Sequence, residues 1–152
     1  MSMDPHYYEV NITWSRDRRG MICAPDISTQ PANGGCLEVA TPPQFSGGIP
    51  GIWSPEHLFT ASVSSCLMTT FLAIAENSGL DFSSFQCASK GKLERLDRKF
   101  LMTEIILEPT ITIAHSEDRE RAWRILEKSE AACLISNSVK SKVTMNATVN
   151  IL

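Results

Sequence analysis

Apolar and polar positions alternate from the start of the chain. Tyr8, Val10, Ile12 and Trp14 fall on one side and Tyr7, Glu9, Asn11 and Thr13 on the other, the period of a half-buried β-strand. The polar run from Ser15 to Gly20 predicts a turn, and Met21 to Ala24 a returning strand. Pro25 to Gly35, rich in Pro, Gly, Ser and Asn, predicts a loop. Leu37 and Val39 mark one face of a third short strand, which ends at Thr41-Pro42-Pro43. The next connection, Gln44 to Trp53, is unusually apolar, as a segment lining a pocket or a partner surface would be.

Ser54-Pro55-Glu56 carries three helix-start signals. They are a capping hydroxyl, a proline suited to the first position, and a negative charge at the positive end of the helix dipole. The helix is expected to run to about Asn77 and to stop at Ser78-Gly79. Its apolar residues lie all round, which predicts a central buried helix.

Two strands follow. The first puts Phe85, Cys87, Ser89, Gly91 and Leu93 on one face, and a charged connection runs from Glu94 to Lys99. The second alternates Leu101, Thr103, Ile105 and Leu107, and Pro109 predicts a bulge or a sheet edge before Ile111 and Ile113. Ser116-Glu117-Asp118 opens a second helix with a buried stripe of Ala122, Ile125, Leu126, Ser129 and Cys133. A last strand alternates Val143, Met145, Ala147, Val149 and Ile151. The order predicts an α+β fold, antiparallel sheet packed on two helices. A length of 152 residues fits a single domain.

Composition narrows the function classes. At 43% hydrophobic and 20% charged the chain is globular, and a net charge of −3 gives no basic surface for nucleic acid. From Leu58 to Ala75 eighteen residues carry no charge, the length of a membrane span, but six of them are Ser or Thr and the flanks lack basic anchors. A helix inside a soluble protein is expected, without a membrane partner. Met1 to His6 shows neither the basic nor the apolar region of a secretory signal.

The five cysteines, Cys23, Cys36, Cys66, Cys87 and Cys133, are odd in number and irregularly spaced. With His6, His57 and His115 they make no metal-ligand pattern, so no metal site is expected, and the thiol chemistry considered below would need no cofactor. Reduced thiols in a cytoplasmic protein are expected instead, with Cys87 packed on its strand face and Cys23 and Cys36 incidental beside loops.

Trp53-Ser54-Pro55-Glu56-His57-Leu58-Phe59, with Cys66 ten residues after Glu56, resembles the central-helix motif of the OsmC/Ohr superfamily, the osmotically inducible and organic hydroperoxide resistance proteins. Cys133-Leu134-Ile135-Ser136-Asn137, at the end of the second helix, resembles that superfamily's second cysteine motif. The order of elements is similar from about Tyr7 to Leu152. Leu134 stands where the Ohr branch has proline, and extra residues separate the first turn from Glu56, the pattern of a less typical branch.

The resemblance implies an OsmC-like domain over residues 1–152 and an intertwined homodimer. It implies a thiol-dependent peroxidase acting on organic hydroperoxides in oxidative-stress defence. Cys66 would then be the peroxidatic cysteine and Cys133 the resolving one. Glu56 would be the acidic residue that holds an active-site arginine, with Arg16 in that role and Arg18 or Arg19 as alternatives. The reductant would be an external dithiol, for which the resemblance offers a lipoyl-bearing protein.

Elementary chemistry constrains this picture. The thiolate is the nucleophile, and burial raises a thiol's pKa. Cys66 lies some three turns into its helix, beyond the reach of the N-terminal dipole, so a nearby cation is expected. Residues ten apart on a helix are separated by about 15 Å along the axis and about 80° around it. An arginine must therefore bridge Glu56 and Cys66, or Glu56 must serve the Cys66 of a second chain. A pocket of Phe45, Ile49, Ile52, Trp53, Phe59 and Met68 would favour alkyl or fatty-acid hydroperoxides over hydrogen peroxide. The alternative is a non-catalytic module that holds a small hydrophobic ligand in the same dimer cleft, with both cysteines as packing residues.

Overall fold

Three strands build the first of two units, Met1–Pro55, in a computed structural model that describes residues 4–27 and 34–152. They are β1 (Asn11–Arg16), β2 (Arg19–Cys23) and β3 (Cys36–Ala40), in one antiparallel sheet of order β1-β2-β3. The first hairpin turns at Asp17-Arg18, tighter than the polar run suggested, with Asp17 at φ 48°. Aspartate tolerates that left-handed conformation better than most side chains.

Two expectations change here. β1 is exposed on both faces in the single chain, so its Ile12 and Trp14 stripe is uncovered rather than half-buried. Cys23 and Cys36 are joined by a disulfide and are not free thiols. The antiparallel register of β2 and β3 sets the two directly opposite each other, which their separation of 13 residues does not reveal. Of the expected loop from Pro25 to Gly35, Pro25–Ile27 forms a short 3-10 turn and residues 28–33 lie outside the described residues.

The apolar connection after β3 is folded back on the sheet end. Ile49 N–H donates to Thr41 O at 2.9 Å, Ala40 N–H donates to Trp53 O at 2.8 Å, and Trp53 pairs in parallel with Val39. Gly47 sits at φ 76°, and the Arg18 side chain lies where a β-carbon on it would point.

The second unit, Glu56–Leu152, has its own core. Helix α1 (Pro55–Asn77) leads to strands β4 (Phe82–Leu96) and β5 (Lys99–Ile113), then to helix α2 (Arg119–Ala132) and strands β6 (Lys142–Met145) and β7 (Thr148–Ile151). β4 and β5 form an antiparallel hairpin turning at Asp97-Arg98, both at positive φ, as a two-residue hairpin loop requires. β6 and β7 run parallel to β5, so this sheet is mixed rather than wholly antiparallel, with α2 as the crossover.

Pro109 marks no sheet edge. β5 is central and continuous, and Pro109 falls where its partner changes from β6 to β7, opposite the break at Asn146-Ala147. That break also divides what the alternation suggested was one strand. A residue without an N–H is tolerated where the ladder is already interrupted.

Val63, Leu67, Phe71 and Ala75 of α1 are fully buried. Phe71 and Ala75 share one cluster with Ile111 and Ile113 of β5, Ile125 and Leu126 of α2, and Val149 of β7. Val63 and Leu67 share another with Ile105 and Leu107. Each fully buried side chain of this size contributes about 1.5–3 kcal/mol. A β-carbon on Gly91 would strike Thr60 Oγ1 of α1, so glycine lets helix and sheet approach there.

The helix is not apolar-buried all round, as its composition suggested. It is long and apolar enough to cross a membrane by length and composition alone, yet one stripe packs on the sheet while Met68 and Leu72 stay exposed. Gly79 (φ 63°) follows the end of α1, and Arg121 of α2 donates to the Ser78 and Gly79 carbonyls at 3.2 Å, satisfying acceptors left open at the helix end.

Candidate active site

Cys66 and Cys133 come together although 67 positions of chain numbering divide them. Cys66 lies on the buried side of α1 with 8% of its surface exposed; Cys133 is fully buried. The reason is local. Cys133 is the first extended residue after α2 (φ −65°, ψ 110°), and Leu134 and Ile135 carry the chain into a 3-10 turn at Ser136–Ser138. Asn137 N–H donates to Cys133 O at 3.0 Å and Ser138 N–H to Ile135 O at 2.9 Å, closing this bend.

The bend turns backbone N–H groups toward the Cys66 sulfur. Burial pushes the Cys66 thiol up, but the Cys133 thiol, the Ile135 N–H, the Thr70 hydroxyl and the Leu134 N–H together outweigh it, and its pKa lies below the ordinary thiol value. Thr70 Oγ1 is 4.0 Å from the sulfur, one helical turn along α1. Burial pushes the Cys133 thiol up, and the neighbouring Cys66 adds to it against an opposing pull from Ser136. The proton therefore stays on Cys133 and negative charge is favoured on Cys66.

No cation is among the groups that lower the Cys66 pKa in the single chain. Fixed dipoles do part of that work. The Thr70 contribution was open to sequence reasoning, since residues i and i+4 share a helix face. The N–H groups of Leu134 and Ile135 carry no side-chain signal, and nothing in the residue types announces them.

Glu56 sits in the first turn of α1, half-buried, and its Oε2 is buried without a hydrogen-bond partner among the described residues. Such an oxygen is costly unless a donor reaches it. The three arginines differ. Arg16, at the end of β1, is exposed, and its side chain makes no hydrogen bond or ion pair among the described residues. Arg18 lies across Gly47. Arg19 Nη1 is 3.3 Å from Glu38 Oε1.

The expected pocket residues fall in different places. Phe45, Ile49 and Ile52 are half-buried in the apolar connection of the first unit, and Trp53 is 47% exposed. Phe59 packs on the Val63–Leu67 cluster, whereas Met68 is exposed on α1. Nine residues apart, these two project from opposite sides of the helix. No group of three or more His, Cys, Asp or Glu residues that could hold a metal occurs among the described residues.

Residues 48–148 match the family described as OsmC-like protein. The "Uncharacterized protein YmaD" of Bacillus subtilis (strain 168) is 23% identical over 146 residues, spanning 94% of this chain and 93% of its own. Among solved structures, the OsmC-like protein of unknown function VCA0330 from Vibrio cholerae superposes with a TM-score of 0.80 at 19% identity, covering 94% of this chain and 99% of its own. An organic hydroperoxide resistance protein from Elizabethkingia anophelis superposes with a TM-score of 0.73 at 19% identity, covering 99% of this chain and all of its own.

Proposed function

The chain belongs to the OsmC-like family, and from that premise we propose that it is a thiol-dependent peroxidase that reduces organic hydroperoxides. One observation carries the reading. The fold brings Cys66 of α1 and Cys133 at the end of α2 close enough together that Cys133 favours a thiolate at Cys66 and lowers its pKa.

The Cys66 thiolate attacks the outer peroxide oxygen, an alcohol leaves, and Cys66 becomes a sulfenic acid. The Cys133 thiol then displaces water and forms the Cys66–Cys133 disulfide. An external dithiol, such as a lipoyl-bearing protein, reduces it by exchange. No metal or other cofactor takes part in these steps.

The raised pKa of Cys133 suits a resolving cysteine. It remains a thiol while Cys66 reacts, and it lies close enough to Cys66 for each to shift the other's pKa. The N–H groups of Leu134 and Ile135, which favour a thiolate at Cys66, would also favour it as the leaving group in the final reduction.

We propose a homodimer as the working form, in the cytoplasm, with residues 1–152 acting as one OsmC/Ohr-like domain. The uncovered Ile12 and Trp14 face of β1, and Met68 and Leu72 on α1, supply apolar surface of the kind an interface buries. In that dimer an arginine fills the open side of Glu56. Arg16 is the first choice, since Arg19 is engaged by Glu38 and Arg18 lies across Gly47. Phe45, Ile49, Ile52, Trp53, Phe59 and Met68 are proposed as the residues that select an alkyl substrate.

Turnover of an alkyl hydroperoxide with a dithiol reductant tests the reading. Cys66→Ser should lower the rate at least about a hundredfold, the scale of losing a nucleophile rather than a packing contact. Turnover unchanged in Cys66→Ser would remove the proposal, and equal rates with hydrogen peroxide would remove the alkyl preference.

A further inference from the structure

We propose that Cys23 and Cys36 are a second redox centre, a dithiol–disulfide pair that exchanges with external thiols and sets the stability of the β1-β2-β3 sheet. The proposal rests on this sheet alone and does not require peroxidase activity at Cys66.

The register makes the pair. Ala24 N–H donates to Gly35 O at 3.0 Å, so residues 24 and 35 are a hydrogen-bonded pair and Cys23 and Cys36 form the adjacent close pair. Their Cα atoms are 4.1 Å apart. In such a pair the side chains approach each other without a ladder hydrogen bond between the two residues. The rest of the β2–β3 ladder, from Arg19 opposite Ala40 to Ile22 opposite Leu37, is made by backbone bonds and does not depend on the sulfur link. Reduced, the two thiols would still face each other.

Location makes the pair exchangeable. Both cysteines are half-buried at the end of the sheet, in contrast to the fully buried Cys133. Accessible disulfides are the labile ones, and in a reducing compartment such bonds are commonly transient or redox-sensing.

What the bond controls follows from what this unit lacks. Both hydrophobic clusters belong to the Glu56–Leu152 unit, while β1 is exposed throughout. A single cross-link therefore adds to the backbone ladder and to the buried Val39 and Ala40 in holding β2 and β3 in register. A slip by one residue would turn every side chain of β2 to the other face, including Arg19, which now meets Glu38.

The chemistry balances in both directions. A thiolate of an external dithiol attacks one sulfur, releases the other as a thiolate, and leaves a mixed disulfide. The second thiol of the reductant then displaces the protein, which gains two electrons and two protons as two thiols while the dithiol becomes a cyclic disulfide. In reverse, a low-molecular-weight disulfide takes two electrons and two protons from Cys23 and Cys36 and is released as two thiols.

The test uses the folded full-length chain, equilibrated in mixtures of reduced and oxidised dithiothreitol, quenched by alkylation and mapped by peptide mass. Hydrogen exchange is followed over β2 and β3. Mapping separates Cys23–Cys36 from Cys66–Cys133, so the two centres are scored independently.

We expect Cys23–Cys36 to interconvert without denaturant in one two-electron step. In the reduced form, amides of β2 and β3 should exchange about ten- to a hundredfold faster, the scale of losing a short-loop cross-link. Amides of β4 and β5 should not change. Cys23→Ser should show the fast exchange in every mixture. Reduction only after unfolding, alkylation of both cysteines in every mixture, or equal exchange in the two forms would each overturn the proposal.

Discussion

The two cysteine pairs sit in units built on different terms. Glu56–Leu152 closes two hydrophobic clusters of its own, and there Cys66 and Cys133 are buried free thiols. Met1–Pro55 shares in neither cluster, exposes β1 entirely, and ties β2 to β3 with Cys23–Cys36. Where enough apolar surface is buried, folding needs no covalent link, and the cysteines are available for chemistry. Where little is buried, a cross-link or a partner must replace the missing core.

The contrast breaks most easily in the packed unit. Phe71 is fully buried and packs edge-on against Phe82 and tilted against Phe85 at ring-centroid distances of 5.1 and 5.0 Å. Phe71→Ala should lower stability by about 3–5 kcal/mol, read as a fall in the urea midpoint. A loss under about 1 kcal/mol would mean that this unit does not carry its own stability.

Trp14 gives the opposite case, since it is 73% exposed in the single chain. Trp14→Ser should shift the stability of the isolated chain by no more than about 0.5 kcal/mol. It should also weaken the proposed dimer about tenfold or more in sedimentation, the scale of losing an interface aromatic. A large stability loss with unchanged association would place the partner of β1 elsewhere.

The smallest expected effect is on titration. The depressed pKa of Cys66 means its thiolate fraction, and so its alkylation rate, reaches a plateau at lower pH than an ordinary thiol. After burial, which opposes it, the contact with Cys133 is the largest influence on that pKa. Cys133→Ala should therefore move the inflection upward. An unmoved inflection would leave the backbone N–H groups of Leu134 and Ile135 as the main stabilisers.

Periodicity carried much of this structure. The stripe Ala122, Ile125, Leu126, Ser129 and Cys133 is buried throughout, and Ser54-Pro55-Glu56 and Gly79 bracket α1 as their chemistry requires. What escaped was long-range pairing. Alternation shows which face of a strand is buried, but not which strand lies beside it. The parallel docking of β6 and β7, the central place of Pro109 and the meeting of Cys23 with Cys36 all depend on that pairing.

The candidate site divides in the same way. Cys66 and Cys133 were legible only through two motifs read together, because either cysteine alone suits a core. The backbone groups that lower the Cys66 pKa were not legible at all, since every residue has an N–H and only the bend after α2 aims these two. Glu56 stood out as a helix-start residue, but its buried oxygen, unpaired among the described residues, is a fact of the fold.

One measurement tests the peroxidase reading most directly. Fully reduced protein would receive one equivalent of an alkyl hydroperoxide, with the disulfides formed then mapped by peptide mass beside Cys66→Ser and Cys133→Ser. The expected result is a Cys66–Cys133 disulfide in the unsubstituted chain, no oxidation at Cys133 in the first variant, and sulfenic or over-oxidised Cys66 in the second. Cys66 and Cys133 both remaining alkylatable after the peroxide is added would contradict it, and would return them to the role of packing residues beside a ligand-binding cleft.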